Sequence, residues 1–382
     1  MPPLPSPASP IRFTVRFHAD VSPHGERMRL TIMAHGPDMV APRPPREGGR
    51  RAHSPPHHFP PRSSYAALDL GTNNCRLLIA RPSEDGFVVV DAFSRIVRLG
   101  EGLAATGRLS DAAMDRAVSA LSVCADKLRR RRVSLVRSVA TEACRRAANG
   151  REFVQRVYRE TGIALEIISP EQEARLAVLG CHALIEPGEG QALVFDIGGG
   201  STELILIDAD QSPPRVIDWY SAPWGVVSLS ETEPHVGDSR DGLLDSYARM
   251  RSRVAESFAQ FAAKLEPGAQ PGRLLGTSGT VTTLASVHLD LPNYDRRLID
   301  GLVVPVTAMR DISARLAGMN VDERAEVPCI GHERADLVVA GCAILDAILD
   351  MWPAERLGVA DRGIREGILR SLMARDRTRM LM

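Results

Sequence analysis

Two short glycine-bearing loops hold the residue types and spacings that could do chemistry. They are Asp69-Leu70-Gly71-Thr72-Asn73-Asn74 and, far downstream, Asp196-Ile197-Gly198-Gly199-Gly200-Ser201-Thr202-Glu203. Each is flanked by short apolar runs: Tyr65 to Leu68 and Leu77 to Ala80 around the first, Ala192 to Phe195 and Leu204 to Ile207 around the second. That is strand, tight turn, strand, written twice. Glycine lets backbone N–H groups come close to an anion, and Ser/Thr hydroxyls add donors. The acids that close each first strand, Asp69 and Asp196, could hold a divalent cation directly or through water. Two such hairpins facing each other would make a phosphate clamp with a metal in it. Three consecutive glycines exceed what a hairpin turn needs, so the second loop is the more specific signal. The first alone could be an ordinary turn.

A third Gly/Ser/Thr segment, Gly276-Thr277-Ser278-Gly279-Thr280, lies between an expected strand and an expected helix. Its amides would open a helix N-terminus, which binds anions readily, although a plain helix cap reads the same way. Glu171 and Glu173 sit in the first turns of a helix begun by Ser169-Pro170. At spacing two they point to different faces, so only one can face a cleft lined by the loops. A carboxylate there could deprotonate a water for attack on phosphorus. Periodicity alone favours plain dipole-complementing acids. Arg76, Arg98, Arg145 and Arg146 lie near expected loop ends, where contact with a polyanion and ordinary ion pairing are equally open.

The chain has 382 residues, 44% hydrophobic and only 4% aromatic, so its core should be aliphatic. Lys+Arg and Asp+Glu both number 47, for a net charge of +0. No global basic field for nucleic acid follows from that balance. Six scattered cysteines form no CxxC pair, which indicates neither a zinc site nor a disulfide framework. No apolar stretch approaches the roughly 18 residues of a membrane span. A reducing cytoplasm is the simplest home.

Residues 1–63 hold about half the prolines and most of the histidines, and read as a disordered Pro/Arg/His-rich tail. Met28, Met33 and Met39 are alternative starts within it. From Ser64 the pattern becomes regular. Strands are expected at Tyr65–Leu68, Cys75–Ala80, Gly86–Phe93, Val133–Ala140 and Ile163–Ile168. Helices are expected from Asp111 to about Arg130, over Thr141–Asn149 and Glu152–Glu160, and from Ser169 to about His182. The turn around Gly188 marks a domain boundary, giving domains at 64–189 and 190–382. The second repeats the theme with strands at Ala192–Phe195, Thr202–Ile207, Arg215–Tyr220 and Arg273–Leu275. A long helix near Arg240–Lys264 and closing helices that include Ala335–Met351 and Gly363–Met373 complete it. Two halves that each open with strand, phosphate loop, strand point to an ancient duplication with the ligand in the cleft between them.

Together these segments resemble the exopolyphosphatase/guanosine pentaphosphate phosphohydrolase family of the actin/sugar-kinase/heat-shock-chaperone ATPase superfamily. The resemblance runs from about residue 64 to the C-terminus. It rests on the two loops, on Arg98-Leu99-Gly100-Glu101-Gly102, on Val139-Ala140-Thr141-Glu142-Ala143-Cys144-Arg145, and on Glu166 through Leu176. Gly276 to Thr280, Glu333-Arg334-Ala335-Asp336 and Gly363-Ile364-Arg365-Glu366-Gly367 also match. It implies an α/β fold of two actin-like (RNase H-like) domains around a phosphate-binding cleft. It also selects Glu173 over Glu171 as general base. Asp69, Asp196 and Glu203 would arrange Mg²⁺ and water. Phosphates would be cradled by Gly71, Thr72, Asn73, Gly198, Gly199, Gly200, Ser201 and Thr202, with Gly276, Ser278, Gly279, Thr280 and Arg98. Asn74-Cys75 departs from the more usual Ser-Ile/Phe, at a position just past the loop.

The implied activity is release of terminal orthophosphate from inorganic polyphosphate. Three rivals stand beside it: hydrolysis of guanosine pentaphosphate, an ATP-dependent kinase or ATPase reaction, and a non-catalytic alarmone sensor. Neither a nucleic-acid nor a membrane partner is expected, and a homodimer is the default assembly. Long members carry further helical domains after this core. The chain ends soon after Met373, so the expectation is the two actin-like domains alone and shorter substrates.

Overall fold

The computed structural model describes residues 63–380 apart from 85, 187, 189, 212–213, 235–238 and 266–270. The tail expectation, with its histidines and alternative starts, falls on residues 1–62 and lies outside the described residues.

The first sheet is built from β1 (Tyr65–Leu70), β2 (Asn74–Ser83), β3 (Gly86–Ile96), β4 (Leu135–Ala140) and β5 (Leu165–Ile167), in the order β3-β2-β1-β4-β5. β1 pairs antiparallel with β2 and parallel with β4. The second sheet contains β6 (Gln191–Ile197), β7 (Thr202–Asp208), β8 (Arg215–Ala222), β9 (Arg273–Thr277), β10 (Val303–Pro305) and β11 (Arg356–Ala360). Read from β8, its order is β8-β7-β6-β9-β11-β10. β6 pairs antiparallel with β7 and parallel with β9, as β1 does with β2 and β4. One arrangement thus occurs twice, with β10 added at an edge. The repeat extends to an irregularity: the register slips after Ile79 in β2 and after Leu206 in β7, each eight residues past the first glycine of its loop (79 − 71 and 206 − 198). These are two actin-like (RNase H-like) α/β units.

Both sheets are covered on both faces, so their central strands carry near-continuous apolar runs, Tyr65 to Leu68 in β1 and Ala192 to Phe195 in β6, with an acid only near the loop end. On the first sheet, Leu68, Leu70, Leu77 and Ile79 pack against Leu121 and Cys124 of the Asp111–Arg130 helix. Ser110 caps that helix by accepting from the Ala113 amide. The opposite face, with Tyr65, Ala67, Leu78 and Ala80, meets Ile368, Leu369 and Met373 of the last helix, Ile364–Met380. That helix lies in 190–382 by sequence but packs against the first sheet. Conversely, the Pro170–Cys181 helix lies before residue 190, yet its Ala174, Ala177, Val178 and Cys181 pack on Ala192, Val194, Ile205 and Ile207 of the second sheet. The two exchanged helices touch at glycines. A Cβ on Gly180 would stand 2.0 Å from the Gly363 carbonyl oxygen, and one on Gly367 would stand 2.0 Å from that of Leu176.

Several elements differ from the sequence reading. The helix expected over Thr141–Asn149 ends at Arg146, because Ala147 turns extended (φ −70°, ψ 132°) before the Gly150–Thr161 helix starts. Val226–Thr232 is a helix that the Val-Val start did not suggest. β10 and β11 were not foreseen. Five of the six cysteines are buried, as small core side chains.

Candidate active site

The two glycine loops close in the same way. The Gly71 amide donates to the Asn74 carbonyl at 2.9 Å, and the Gly198 amide donates to the Ser201 carbonyl at 3.0 Å. The amides between them, of Thr72 and Asn73 in the first loop and of Gly199 and Gly200 in the second, donate to no acceptor among the described residues. Each loop is held from behind through its carbonyls. Thr72 and Asn73 accept from Gly100, Val97 and Arg98, while Gly198 and Gly199 accept from Val226 and Val227 at the start of the Val226–Thr232 helix. Spare N–H groups on a braced backbone form an anion nest.

The loops face one another closely. A Cβ on Gly199 would come within 3.0 Å of the Asn73 nitrogen, and one on Gly200 within 2.6 Å of Thr72 Oγ1 and 3.0 Å of Glu142 Cγ. Only glycine permits that approach. They line one cleft of about 940 Å³, counted out to its open mouth. Ser278, Gly279 and Thr280 bring the N-terminus of the Ser278–His288 helix to the same cleft.

Four carboxylates converge there: Asp69, Glu173, Asp196 and Glu203. Asp69 is the penultimate residue of β1, and its Oδ1 is sealed from solvent with no hydrogen-bond partner among the described residues. Asp196 sits in the equivalent strand β6 and accepts from the Ser278 hydroxyl. Glu203 Oε1 accepts from Ser201 Oγ at 2.7 Å and Ser221 Oγ at 2.8 Å. Glu173 is placed by the start of its helix. Ser169 and Gln172 form a reciprocal capping box with Pro170 in the first turn. Glu173 Oε2 accepts from Arg145 Nη1 at 3.0 Å. Its Oε1 takes no hydrogen bond among the described residues, and the residue lines the cleft. Glu171 instead pairs with Arg175 at 2.8 Å outside it, as spacing two requires.

Burial raises all four acids. Asp69 is pushed up to about 6 by desolvation, against the pull of Arg76 and Arg365. Glu203 is pushed up to about 7 by desolvation and then by the charge of Asp196. Desolvation, followed by the charge of Glu203, holds Glu173 well above the ordinary range, and Arg145 opposes it. Asp196 is raised by desolvation and eased by Ser278. Such a concentration of costly buried charge marks a functional site.

The remaining expected residues stand apart from the lining. Thr202 is fully buried and donates to the Trp224 carbonyl at 2.6 Å. Gly276 packs under Phe195, where a Cβ would meet the ring at 2.7 Å. Arg98 forms an ion pair with Asp336 at 2.9 Å. In turn the cleft includes Asn74, Glu142, Thr283 and Arg334, which the sequence reading does not single out as site residues, and Arg76, which it leaves open between polyanion contact and ion pairing. Arg76 makes no ion pair among the described residues, whereas Arg334 donates to Thr283 Oγ1 at 2.9 Å. Glu142 and Arg334 lay inside matching motifs, and Arg76 was one of several undistinguished arginines. No group of three or more His, Cys, Asp or Glu among the described residues is gathered tightly enough to ligate a metal alone. No helix among them is long and apolar enough to cross a membrane.

Paired actin-like sheets with opposed anion loops and a ring of buried acids define a protein that handles phosphoryl groups. The chain belongs to the Ppx/GppA phosphatase family, whose model matches residues 78–376. It is therefore an enzyme of the phosphoanhydride-hydrolase class. Exopolyphosphatase 2 of Mycobacterium tuberculosis is 31% identical over 326 residues, covering 80% of this chain and 98% of that protein. The guanosine-5′-triphosphate,3′-diphosphate pyrophosphatase of Aeromonas salmonicida is 31% identical over 327 residues, covering 82% of this chain but 62% of the longer relative. The crystal structure of the Aquifex aeolicus family member matches at a TM-score of 0.68 and 29% identity, over 82% of this chain and 98% of that one. An exopolyphosphatase from Cytophaga hutchinsonii shares the fold at a TM-score of 0.74 and 23% identity, with 82% and 98% covered.

Proposed function

We propose that this chain is an exopolyphosphatase that releases terminal orthophosphate from inorganic polyphosphate. One observation carries the reading: two braced loops with spare amides and a buried, half-satisfied carboxylate, Glu173, share one cleft. The amides of Thr72, Asn73, Gly199 and Gly200, with Arg76, hold the end phosphoryl group and neutralise its equatorial oxygens. Glu173 Oε1 takes a proton from water as the water attacks in line. Desolvation that lifts its proton affinity above that of an ordinary carboxylate suits a general base.

The residues fit a hard divalent cation. Every charged donor is a carboxylate oxygen, and Asp69 Oδ1 has no protein partner. Two carboxylates with water and substrate oxygens completing the shell are typical for Mg²⁺. Asp69 and Asp196 would hold it, with Glu203 setting the loop beside them. When bound, Mg²⁺ supplies charge neutralisation on the phosphate oxygens.

Glu173→Gln is expected to fold normally and to lose about two orders of magnitude in kcat. Phosphate release from polyphosphate of defined lengths measures it, and retained turnover would overturn the role. A specific observation favours hydrolysis of guanosine pentaphosphate as the second reading. Val226, Leu337 and Val338 add an apolar wall to the cleft, and Arg334 stands beside it. A nucleoside uses such a wall, whereas a bare phosphate chain does not. Side-by-side kcat/KM values on both substrates, with ATP as a third, decide between them.

A further inference from the structure

Arg145 does not face Glu173 alone. Its Nη1 donates to Glu173 Oε2 at 3.0 Å and to the Ile168 carbonyl at 2.7 Å. Its other edge, Nε and Nη2, is taken by Glu142 Oε2 at 3.1 and 2.8 Å. All five donors of a guanidinium lie in one rigid plane, so fixing one edge fixes the other. The stem of Glu142 is itself confined, because Gly200 of the second loop leaves room for it and for nothing larger than hydrogen. Glu142 is three residues before Arg145 on the short Glu142–Arg146 helix. The Thr141 amide ties the start of that helix to the Leu70 carbonyl at the end of β1. Glu142 therefore links the first loop's strand, the second loop and, through Arg145, the side chain of Glu173.

An anionic residue in a cleft built for polyanions works against substrate binding unless it does something else. Without Glu142, the Nε/Nη2 edge loses its acceptor. Glu173 Oε1, on the carboxylate whose Oε2 the guanidinium already holds, and the oxygens of a bound phosphate then become acceptors open to it. Turning to the first would give a two-point carboxylate pair and remove the lone pair that water needs. Turning to the second would hold substrate unproductively. We propose that Glu142 is a positioning residue that occupies one edge of Arg145, so that the guanidinium orients Glu173 through Oε2 and leaves Oε1 free. This rests on the reading of Glu173 as the base.

Steady-state kinetics on polyphosphate with Glu142→Ala and Glu142→Gln test it. Glu142→Ala is expected to lower kcat on the order of 10²-fold, the scale of a misplaced catalytic group, with KM unchanged or lower. Glu142→Gln keeps an acceptor oxygen for the fork and is expected to restore kcat to within about fivefold. Should the alanine variant fail to fold, Glu142→Asp keeps the charge but shortens the reach, and is expected to lose about tenfold or more in kcat. The proposal is overturned if Glu142→Ala stays within fivefold of the natural chain, if glutamine is as poor as alanine, or if the loss is in KM. Glu173→Gln in the same series separates the two ideas. Retained turnover there overturns the base reading, whereas a failed glutamine rescue beside an inactive Glu173→Gln overturns only the role of Glu142.

Discussion

Asp69 shows the effect of burying a carboxylate that lacks a full set of partners. Its Oδ1 is sealed and unpaired, and burial holds its pKa near 6. Glu203, at about 7, is more deeply buried and faces the charge of Asp196. Both folded values lie above the unfolded ones, so the folded chain binds more protons between roughly pH 4 and 7. Stability therefore falls as pH rises through that window, by roughly 3 kcal/mol per carboxylate, and the raised Glu173 and Asp196 act in the same direction. Asp91 and Glu366 have lowered values, so their opposite trend lies below about pH 4, outside the window. The ligand-free protein is thus expected to resist denaturant better at pH 5 than at pH 8. Asn at position 69 should flatten that profile and raise stability at pH 8. Urea titrations in chelator from pH 5 to 8 check this, and a natural chain that is flat or rising over the range contradicts it. On the proposed reading, Mg²⁺ raises the melting midpoint at pH 8 by mass action, and does so less in Asp69→Asn.

At the scale of elements, the exchanged helices determine whether the base reaches the cleft. Pro170–Cys181 and Ile364–Met380 approach with Gly180 and Gly367 against opposing carbonyls, each 2.0 Å from where a Cβ would be. Both obstacles are backbone, so no side-chain rotation relieves them. Ala at position 367 gains about 1 kcal/mol of helix propensity, but the overpacking costs about 1–3 kcal/mol, and at 2.0 Å the upper end applies. Gly367→Ala is expected to destabilise by about 2 kcal/mol net and to lower kcat as well, because the displaced partner helix carries Glu173. Ser169→Ala should cost about 1 kcal/mol from the lost cap. Chemical denaturation measures both, and a neutral or stabilised Gly367→Ala would count against this account of the crossing. The same elements mark what could be read from the sequence. Both strand–loop–strand units, the Ser110 and Ser169 caps and the Glu171/Glu173 split follow from local patterns, and they survive in the fold. The exchange of helices between sheets does not, because nothing in a linear pattern says which sheet an apolar helix face will meet. β11 is five residues long and follows a helix apolar enough to absorb it. The break at Ala147 has no glycine or proline to announce it.

Across the whole molecule, the two sheets are joined near the cleft by a second seam. Arg98, carried in a backbone of positive φ (46°), reaches from the segment after β3 to Asp336 and to the Glu333 carbonyl before the Val338–Met351 helix. Beside it, the Gly102 amide donates to Glu231 Oε1 at 2.7 Å. Arg98 and Asp336 are each about one-third exposed (35% and 36%), so the pair contributes no more than about 1 kcal/mol to stability. If the cleft opens and closes in solution, such an energy shifts the balance between the two states several-fold. A strap and a phosphate ligand predict different mutational patterns for Arg98. If the residue works through Asp336, Arg98→Ala and Asp336→Ala should change KM for polyphosphate by similar factors, and the double variant should add little to either. If it grips substrate, Arg98→Ala alone raises KM, while Asp336→Ala frees the guanidinium and lowers it. The structure favours the first pattern, with both single variants within about 1 kcal/mol of the natural chain in stability and faster amide exchange over residues 97–104. Opposite signs for the two KM changes would instead return Arg98 to the substrate, where its motif had suggested it belonged.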